Sequence, residues 1–479
     1  MTPSVRKLGL ARAYRWAAAA GQRVRRWERR TRPVDPEFVG ALKARWEGLP
    51  EPVRTRAQFV GRGITGCEGT HGVFPRCNLR CTPCYHSRDA NQVRVDGAHT
   101  TAQVTAQMRL LRQRRGPYSH AQLIGGEVSL LPPDAHAEAL GIMQAHGREP
   151  MSFTHGDFDY DYLRATAVDD QGRRRVRRLS FAVHFDMMMF GRRGIQRPPD
   201  ERALNPYRAR FAEMLRQLRR EHGVEFYLAH NMTVTPANLD QIGDVIRDCH
   251  AMGYGMFSFQ PAAFVGDERR WRESYQKLTG DAVWQRIEAG AGATLDYRVV
   301  QNGDPRCNRT AYGFYVGERW HPFLDGSDPR DLATRDAYFR YLGPMPLGGV
   351  PPALLAIRLA RRVLRHPQMI GVAAGWLVRA ARRVGPAELL RHGMRPVTFV
   401  MHQFMDAADV APAWELMQQG ITSDDPCLRE TQERLAACHY EMAHPEDGTL
   451  VPACVQHSVL DPAENVELRR LLPLTPVDR

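Results

Sequence analysis

Three cysteines, Cys77, Cys81 and Cys84, stand within eight residues in the stretch Phe74-Pro-Arg-Cys-Asn-Leu-Arg-Cys-Thr-Pro-Cys-Tyr-His86. The C-x3-C-x2-C spacing places three thiolates on one short loop. Three thiolates can hold three irons of a [4Fe–4S] cubane, and the fourth iron is then left as a Lewis-acidic docking point. The competing chemistry is structural zinc. Zinc takes four ligands, usually in paired C-x2-C knuckles. No second knuckle follows, so a zinc site would have to recruit His86 or Cys67.

A second motif lies some forty residues on. Ala121-Gln-Leu-Ile-Gly-Gly-Glu127 reads as a short apolar strand ending in two glycines and a carboxylate. Gly125 and Gly126 permit close approach of backbone to a ligand, and Glu127 offers an acceptor for an ammonium group. A lone Gly-Gly-Glu is a weak signal; one helix after a cysteine triplet it is a strong one. Together the two motifs resemble the signature of the radical S-adenosylmethionine (radical SAM) superfamily.

That resemblance implies a set of roles. Cys77, Cys81 and Cys84 would bind the cluster, and the amino and carboxylate groups of S-adenosylmethionine would chelate the fourth iron. Gly125, Gly126 and Glu127 would hold the methionine amino group. Tyr85, beside the third cysteine, would pack on the adenine or simply fill the core. His155 in Phe153-Thr-His-Gly156 stands where the family usually has Asn. His184 and Asp186 end a strand where the family places ribose contacts, and Asn231 and Gln260 end the next two. An external one-electron donor such as flavodoxin or ferredoxin would reduce the cluster. Cleavage of the sulfonium would then give a 5′-deoxyadenosyl radical that abstracts hydrogen from an unactivated C–H bond.

Cys307, Cys438 and Cys454, with Cys427 or Cys67, are candidates for a second iron–sulfur cluster. Their alternative is the small buried hydrophobe that free cysteine commonly is, and Cys249, inside a helical stretch, reads that way. The segment from Leu435-Ala-Ala-Cys-His-Tyr to Pro445-Glu-Asp-Gly-Thr-Leu-Val-Pro-Ala-Cys454, with Phe259-Gln-Pro261, is similar to tetraether-lipid-synthase-like proteins. That branch joins lipid tails. This chain departs from it in having a single Cys307 where the branch is richer in cysteine, and in lacking the branch's cysteine-rich N-terminal part.

The elements that must position these groups alternate. Candidate strands fall at Gly72–Pro75, Ala121–Ile124, Met151–Thr154, Leu179–Phe185, Glu225–Leu228 and Met256–Gln260, with helices such as Thr101–Arg115, Asn205–Glu221 and Leu239–Met252 between them. Strand–helix alternation predicts a parallel sheet with crossover helices. Six units predict an α/β fold of the partial (β/α)6 TIM-like barrel type. The expected organisation is a basic helical extension over 1–60, the barrel over 61–300, and an α-rich, cysteine-bearing extension over 301–479.

The net charge is +13. Ten Lys and Arg against the single Glu28 occupy the first 32 residues, and arginines decorate the helical stretch 353–393. These basic amphipathic segments suit peripheral contact with an anionic membrane. No run is long and apolar enough to span a bilayer and no signal peptide is evident. The expected location is the cytoplasm, at the inner face of the membrane. A small-molecule or lipid substrate is the leading expectation. A peptide-modifying enzyme with an auxiliary cluster is the first alternative and a nucleic-acid modifier the second, although no RNA-binding module appears and nucleic acid is not an expected partner.

Overall fold

A computed structural model describes residues 20–86, 88–265, 276–347 and 350–474. Its strands are β1 (Cys67–Gly69), β2 (Arg80–Cys81), β3 (Ser119–Leu123), β4 (Arg148–Thr154), β5 (Arg178–His184), β6 (Met189–Phe190), β7 (Glu225–Val234), β8 (Met256–Pro261), β9 (Asn308–Val316), β10 (Arg319–Pro322), β11 (Arg395–His402), β12 (Tyr440–His444) and β13 (Thr449–Pro452). Eleven of them form one sheet in the order β10-β9-β11-β8-β7-β5-β4-β3-β1-β12-β13. The run from β11 through β12 is parallel throughout. Antiparallel strands flank it at both ends. The architecture is a partial barrel.

Five of the six expected strands form close to their predicted bounds. The stretch 72–75 does not pair. Its backbone is taken by side chains of the helix Gly97–Arg115 instead: Thr100 Oγ1 donates to Val73 O at 2.7 Å, and His99 Nε2 lies 2.9 Å from Gly72 O. The first strand is β1, five residues earlier. Two parallel strands, β11 and β12, come from beyond residue 300, and the C-terminal part supplies five strands along with its helices. The barrel sheet therefore draws on the whole described chain.

The sheet's two faces follow the period of two expected of strands. Ala121, Leu123, Phe181, Val183, Phe257 and Phe259 turn outward and are buried under the crossover helices. Phe181 and Phe158 meet Phe211 edge-on at 5.6 and 5.5 Å. Each such ring contributes about 1.5–3 kcal/mol by leaving water. The alternate residues, among them Gln122, Phe153, His184, Asn231 and Gln260, face inward and line a cavity. The helix Gly97–Arg115 begins at Asp96, whose carboxylate accepts from His99 N at 2.9 Å, and Thr100 is buried inside its first turn.

Two buried polar clamps brace the sheet, the second of them tying it to the C-terminal part. Arg148 and Glu68, both fully buried, form a two-bond ion pair at 2.9 Å across β3. His71 contacts Glu464 Oε1 through Nδ1 and Ala443 O through Nε2, both at 2.8 Å. Burial pulls the His71 pKa down, but the Glu464 hydrogen bond and charge, with the Ala443 carbonyl, carry it up to about 9. A histidine raised on folding stabilises the protein fully below its unfolded pKa near 6.5 and loses that contribution as pH climbs through 9. A rise of this size corresponds to about 3 kcal/mol. Thermal melts between pH 6.5 and 9.5 should therefore show stability falling in the wild type and a flatter profile in His71→Gln. Parallel profiles would show that the His71–Glu464 pair contributes nothing.

Candidate functional site

The loop after β1 carries the cysteine triplet, and the Gly-Gly-Glu segment after β3 is built against it. Gly126 N donates to Phe74 O at 2.8 Å and Glu127 N to Arg76 O at 2.9 Å. A Cβ on Gly126 would lie 2.2 Å from Arg76 O, and one on Gly125 would lie 2.6 Å from the Phe74 ring. The two glycines thus serve close approach of one backbone to another. They lock the cysteine loop onto the sheet.

The Cys81 thiol is held well above its ordinary pKa, first by its hydrogen bond with Cys84, then by burial and by the charges of Cys84, Cys77 and Asp186. The three side chains are therefore neighbours, as their spacing predicts. Crowded, buried thiols ionise readily only when a positive centre joins them, and iron is such a centre. In this respect the donor set fits a cluster. No group of three His, Cys, Asp or Glu side chains among the described residues is arranged to hold a single metal ion.

Glu127 is fully buried, and its carboxylate is largely occupied. Oε1 accepts from Ser129 N at 2.9 Å and Thr154 Oγ1 at 2.7 Å, and Oε2 accepts from His155 N at 2.9 Å. A carboxylate offers about four lone-pair positions; His155 Nε2 also lies 3.3 Å from Oε2, and Glu127 lines the cavity. His155 lies at the end of β4. Its Nδ1 accepts from Asp157 N at 3.0 Å, which makes Nε2 the donor to Asn78 Oδ1 at 2.7 Å. Burial, and the nearby Arg192 charge, keep it neutral in spite of Glu127. Asn78 thereby ties the triplet loop to β4.

His184 Nε2 meets Asp186 Oδ2 at 2.5 Å, and Asp186 also accepts from Thr233 N at 3.1 Å and Met188 N at 2.9 Å. Burial lowers the His184 pKa, but Asp186 outweighs it and the net direction is upward. Asn231 and Gln260 join across β7 and β8 at 2.6 Å. Tyr85 donates to Gly125 O at 3.0 Å and lies with its ring 4.3 Å from those of His86 and His457. Tyr85, Glu127, His155, His184, Asn231 and Gln260 all face one cavity of about 260 Å³, which Gly125 and Gly126 also line. Asp186 stands behind His184.

The same cavity receives Cys307, Cys438 and Cys454, and also Cys67. Burial, then the neighbouring Cys454, Glu441 and Cys307, push the Cys438 thiol up. Burial and Cys307 carry Cys454 up to about 12. Arg434 Nε donates to Cys307 Sγ at 3.2 Å. Cys427 lies elsewhere, exposed and 3.9 Å from Asp409 Oδ1, and Cys249 is in the core as expected. No disulfide joins any of the nine cysteines.

Other participants had no readable signal in the sequence. His402 and His439 border the second cysteine group, with rings 6.3 Å apart. His457 reaches the cavity from a π-helical turn over 456–460, with Nδ1 2.7 Å from Asp461 Oδ2. Arg192, buried beneath the triplet, donates to His155 O at 2.8 Å and packs over Phe185. Only the i,i+4 spacing of His457 and Asp461 on a helix was a usable clue.

No family model matches the sequence and no curated protein does. Solved structures match over part of the chain. Streptococcus suis SuiB bound to its precursor peptide SuiA aligns at 12% identity and a TM-score of 0.31, over 47% of this chain and 45% of SuiB. Native anSMEcpe with bound AdoMet aligns at 13% identity and a TM-score of 0.29, over 46% and 58% of the two chains. TYW1 with a lysine-pyruvate adduct aligns at 13% and 0.31, over 50% of this chain and 82% of that one. The aligned part spans 40% to 58% of SuiB and anSMEcpe.

Proposed function

We propose that this chain is a radical SAM enzyme whose substrate is hydrophobic, a lipid or another apolar small molecule. The observation that carries the reading is the direct docking of the Gly-Gly-Glu segment onto the cysteine loop, at the inner face of a parallel half-barrel. Cys77, Cys81 and Cys84 would hold a [4Fe–4S] cluster. The chemistry supplied when cluster and S-adenosylmethionine are bound is one-electron cleavage of the sulfonium to methionine and a 5′-deoxyadenosyl radical, which takes hydrogen from a C–H bond and leaves as 5′-deoxyadenosine. The electron comes from an external donor such as flavodoxin or ferredoxin.

The chain's own residues bind, orient and exclude water. The Glu127 carboxylate accepts from the methionine ammonium, a charge-assisted bond. The neutral His155 imidazole, held by Asn78 and Asp157, keeps the edge of that subsite rigid. His184, backed by Asp186, and the Asn231–Gln260 pair offer polar atoms along the ribose. Met151, Phe153, Ala182 and Met256 give the cavity an apolar floor, which is what favours an apolar substrate. Cys307, Cys438 and Cys454, with Cys67 near by, would hold a second iron–sulfur cluster. Contact with an anionic membrane belongs to the same reading. A peptide substrate is the alternative, and a substrate panel that includes peptides distinguishes the two.

The test is anaerobic reconstitution with iron and sulfide, reduction with dithionite, and assay for 5′-deoxyadenosine. Formation of the nucleoside supports the reading, and its absence from protein with a full iron complement overturns it. Glu127→Gln tests the ammonium site. The variant keeps one oxygen for Ser129 and Thr154 and loses the charge. Iron content should be unchanged, while S-adenosylmethionine affinity falls by on the order of 1.5–3 kcal/mol, roughly ten- to a hundredfold. Equal affinity by titration would confine Glu127 to holding the 154–155 backbone.

A further inference from the structure

The helices Pro352–Arg365 and Gln368–Val384 are built inside out. Each is amphipathic, yet it turns most of its arginines toward the protein, Arg365 and Arg382 excepted, and an apolar stripe toward solvent. On the first helix, Arg358 Nε donates to Arg30 O at 3.1 Å, Arg361 bonds Thr31 and Arg362 Nε donates to Tyr341 O at 2.6 Å. The outward positions Ala353, Ile357, Ala360 and Leu364 recur at helical spacing, and Leu364 is 81% exposed. On the second, Arg379 and Arg383 pair with the buried Asp331, and Trp376 Nε1 donates to Phe323 O at 2.7 Å. Its outward positions are Ile370, Ala373, Ala374, Leu377 and Val378. Leu390, on the short helix Pro386–His392 that follows, is 88% exposed. An apolar face of this extent rarely stays in water on a monomeric protein.

The surroundings of this face identify what covers it. Residues 20–31 form a helix that packs against Pro352–Arg365, with Arg361 lying 5.7 Å over the Trp27 ring. Two segments more than three hundred residues apart thus share one surface. Residues 20–32 contain six arginines and one acid, Glu28; residues 350–394 contain eight arginines and one acid, Glu388. Arg23, Arg25, Arg26, Arg29 and Arg30 are exposed beside the exposed Val24 and Trp27. Outward apolar side chains bordered by exposed arginines are what an interfacial helix presents to anionic lipid. No helix of the described residues is long and apolar enough to cross a membrane, so the contact lies in the plane of the surface.

We propose that the composite face formed by residues 20–31 and the two helices over 352–384 docks the protein on an anionic bilayer. The apolar stripes insert at the headgroup boundary, and the exposed arginines, those of residues 23–30 with Arg365 and Arg382, meet lipid phosphates. The rest of the basic N-terminal segment expected to act this way, residues 1–19, lies outside the described residues. That docking serves delivery of an apolar substrate rests on the reading above; docking itself does not.

The test is co-sedimentation of the full chain with vesicles of phosphatidylcholine alone and of phosphatidylcholine with phosphatidylglycerol. Binding to the anionic vesicles, and release as salt screens the charge, are expected. The variant Leu364→Ser/Ile370→Ser/Leu377→Ser changes only exposed side chains. Its partition should fall about tenfold or more, because each buried methylene contributes about 0.8 kcal/mol. Equal binding of variant and wild type, or equal binding to neutral and anionic vesicles, would overturn the proposal. So would a wild-type dimer that the substitutions convert to monomer without altering vesicle binding, since a second copy would then cover the face. 5′-Deoxyadenosine formation without lipid reads the chemistry separately: a variant that keeps it but leaves the vesicles has lost docking alone.

Discussion

Changing Cys77, Cys81 and Cys84 together to alanine should remove about four irons per chain and abolish 5′-deoxyadenosine formation. The three thiols share one loop that the Gly-Gly-Glu segment pins from behind, and no other cysteine lies on it. Their loss deletes all of the protein's ligands to that cluster. The fold should survive, because the cavity-facing side of the loop carries no part of the main hydrophobic core. Iron and sulfide analysis and the absorbance spectrum give the readout. Unchanged values would remove the triplet from cluster binding. The same variant reports on Cys307, Cys438 and Cys454. About four further irons should remain if those thiols hold a second cluster, whereas a variant devoid of iron would assign them to packing.

The second large effect is expected at Arg208, on the helix Asn205–His222. Its guanidinium is fully buried and donates to Glu201 Oε2 and Glu201 O at 2.6 Å, Asn205 Oδ1 at 3.0 Å and Phe185 O at 3.1 Å. Glu201 in turn accepts from Met187 N at 2.9 Å and Asn238 Nδ2 at 3.0 Å. The pair thus ties together both sides of Asp186 and the turn after β7. Arg208→Leu strands the Glu201 carboxylate in the interior, which costs about 3–5 kcal/mol. Replacing both partners, Arg208→Leu with Glu201→Leu, should recover part of that loss, because no unpaired charge then remains. Urea unfolding of the two variants measures the difference. A single variant as stable as wild type would show that the network is dispensable.

Much of the site could be read in the residues. Short-range spacing reports directly on chemistry, because residues four apart on a loop must be neighbours wherever the loop goes. That is why the triplet is legible; the Gly-Gly-Glu segment and the strand-end groups His184, Asn231 and Gln260 are singled out by the resemblance, and all of them line one cavity. Short apolar runs between amphipathic helices likewise placed five strands, since each must be buried under the crossover helices. The stretch 72–75 misled because its backbone carbonyls are taken by side chains of the following helix, an interaction that local pattern does not encode.

What lay beyond the reach of pattern is long-range. That β11 and β12 join opposite ends of the parallel run, and that Cys67, Cys307, Cys438 and Cys454 converge on the cavity of the triplet, follows from strand pairing over hundreds of residues. Such pairing is set by the total core and leaves no periodic mark. The orientation of the arginine-rich helices was open for the same reason. Their amphipathic pattern specifies two faces, but which of them meets the protein depends on the partners available. Here Asp331, the Tyr341 carbonyl and the end of the helix over 20–31 bind the arginines, so Ile357, Leu364, Ile370 and Leu377 are left outside.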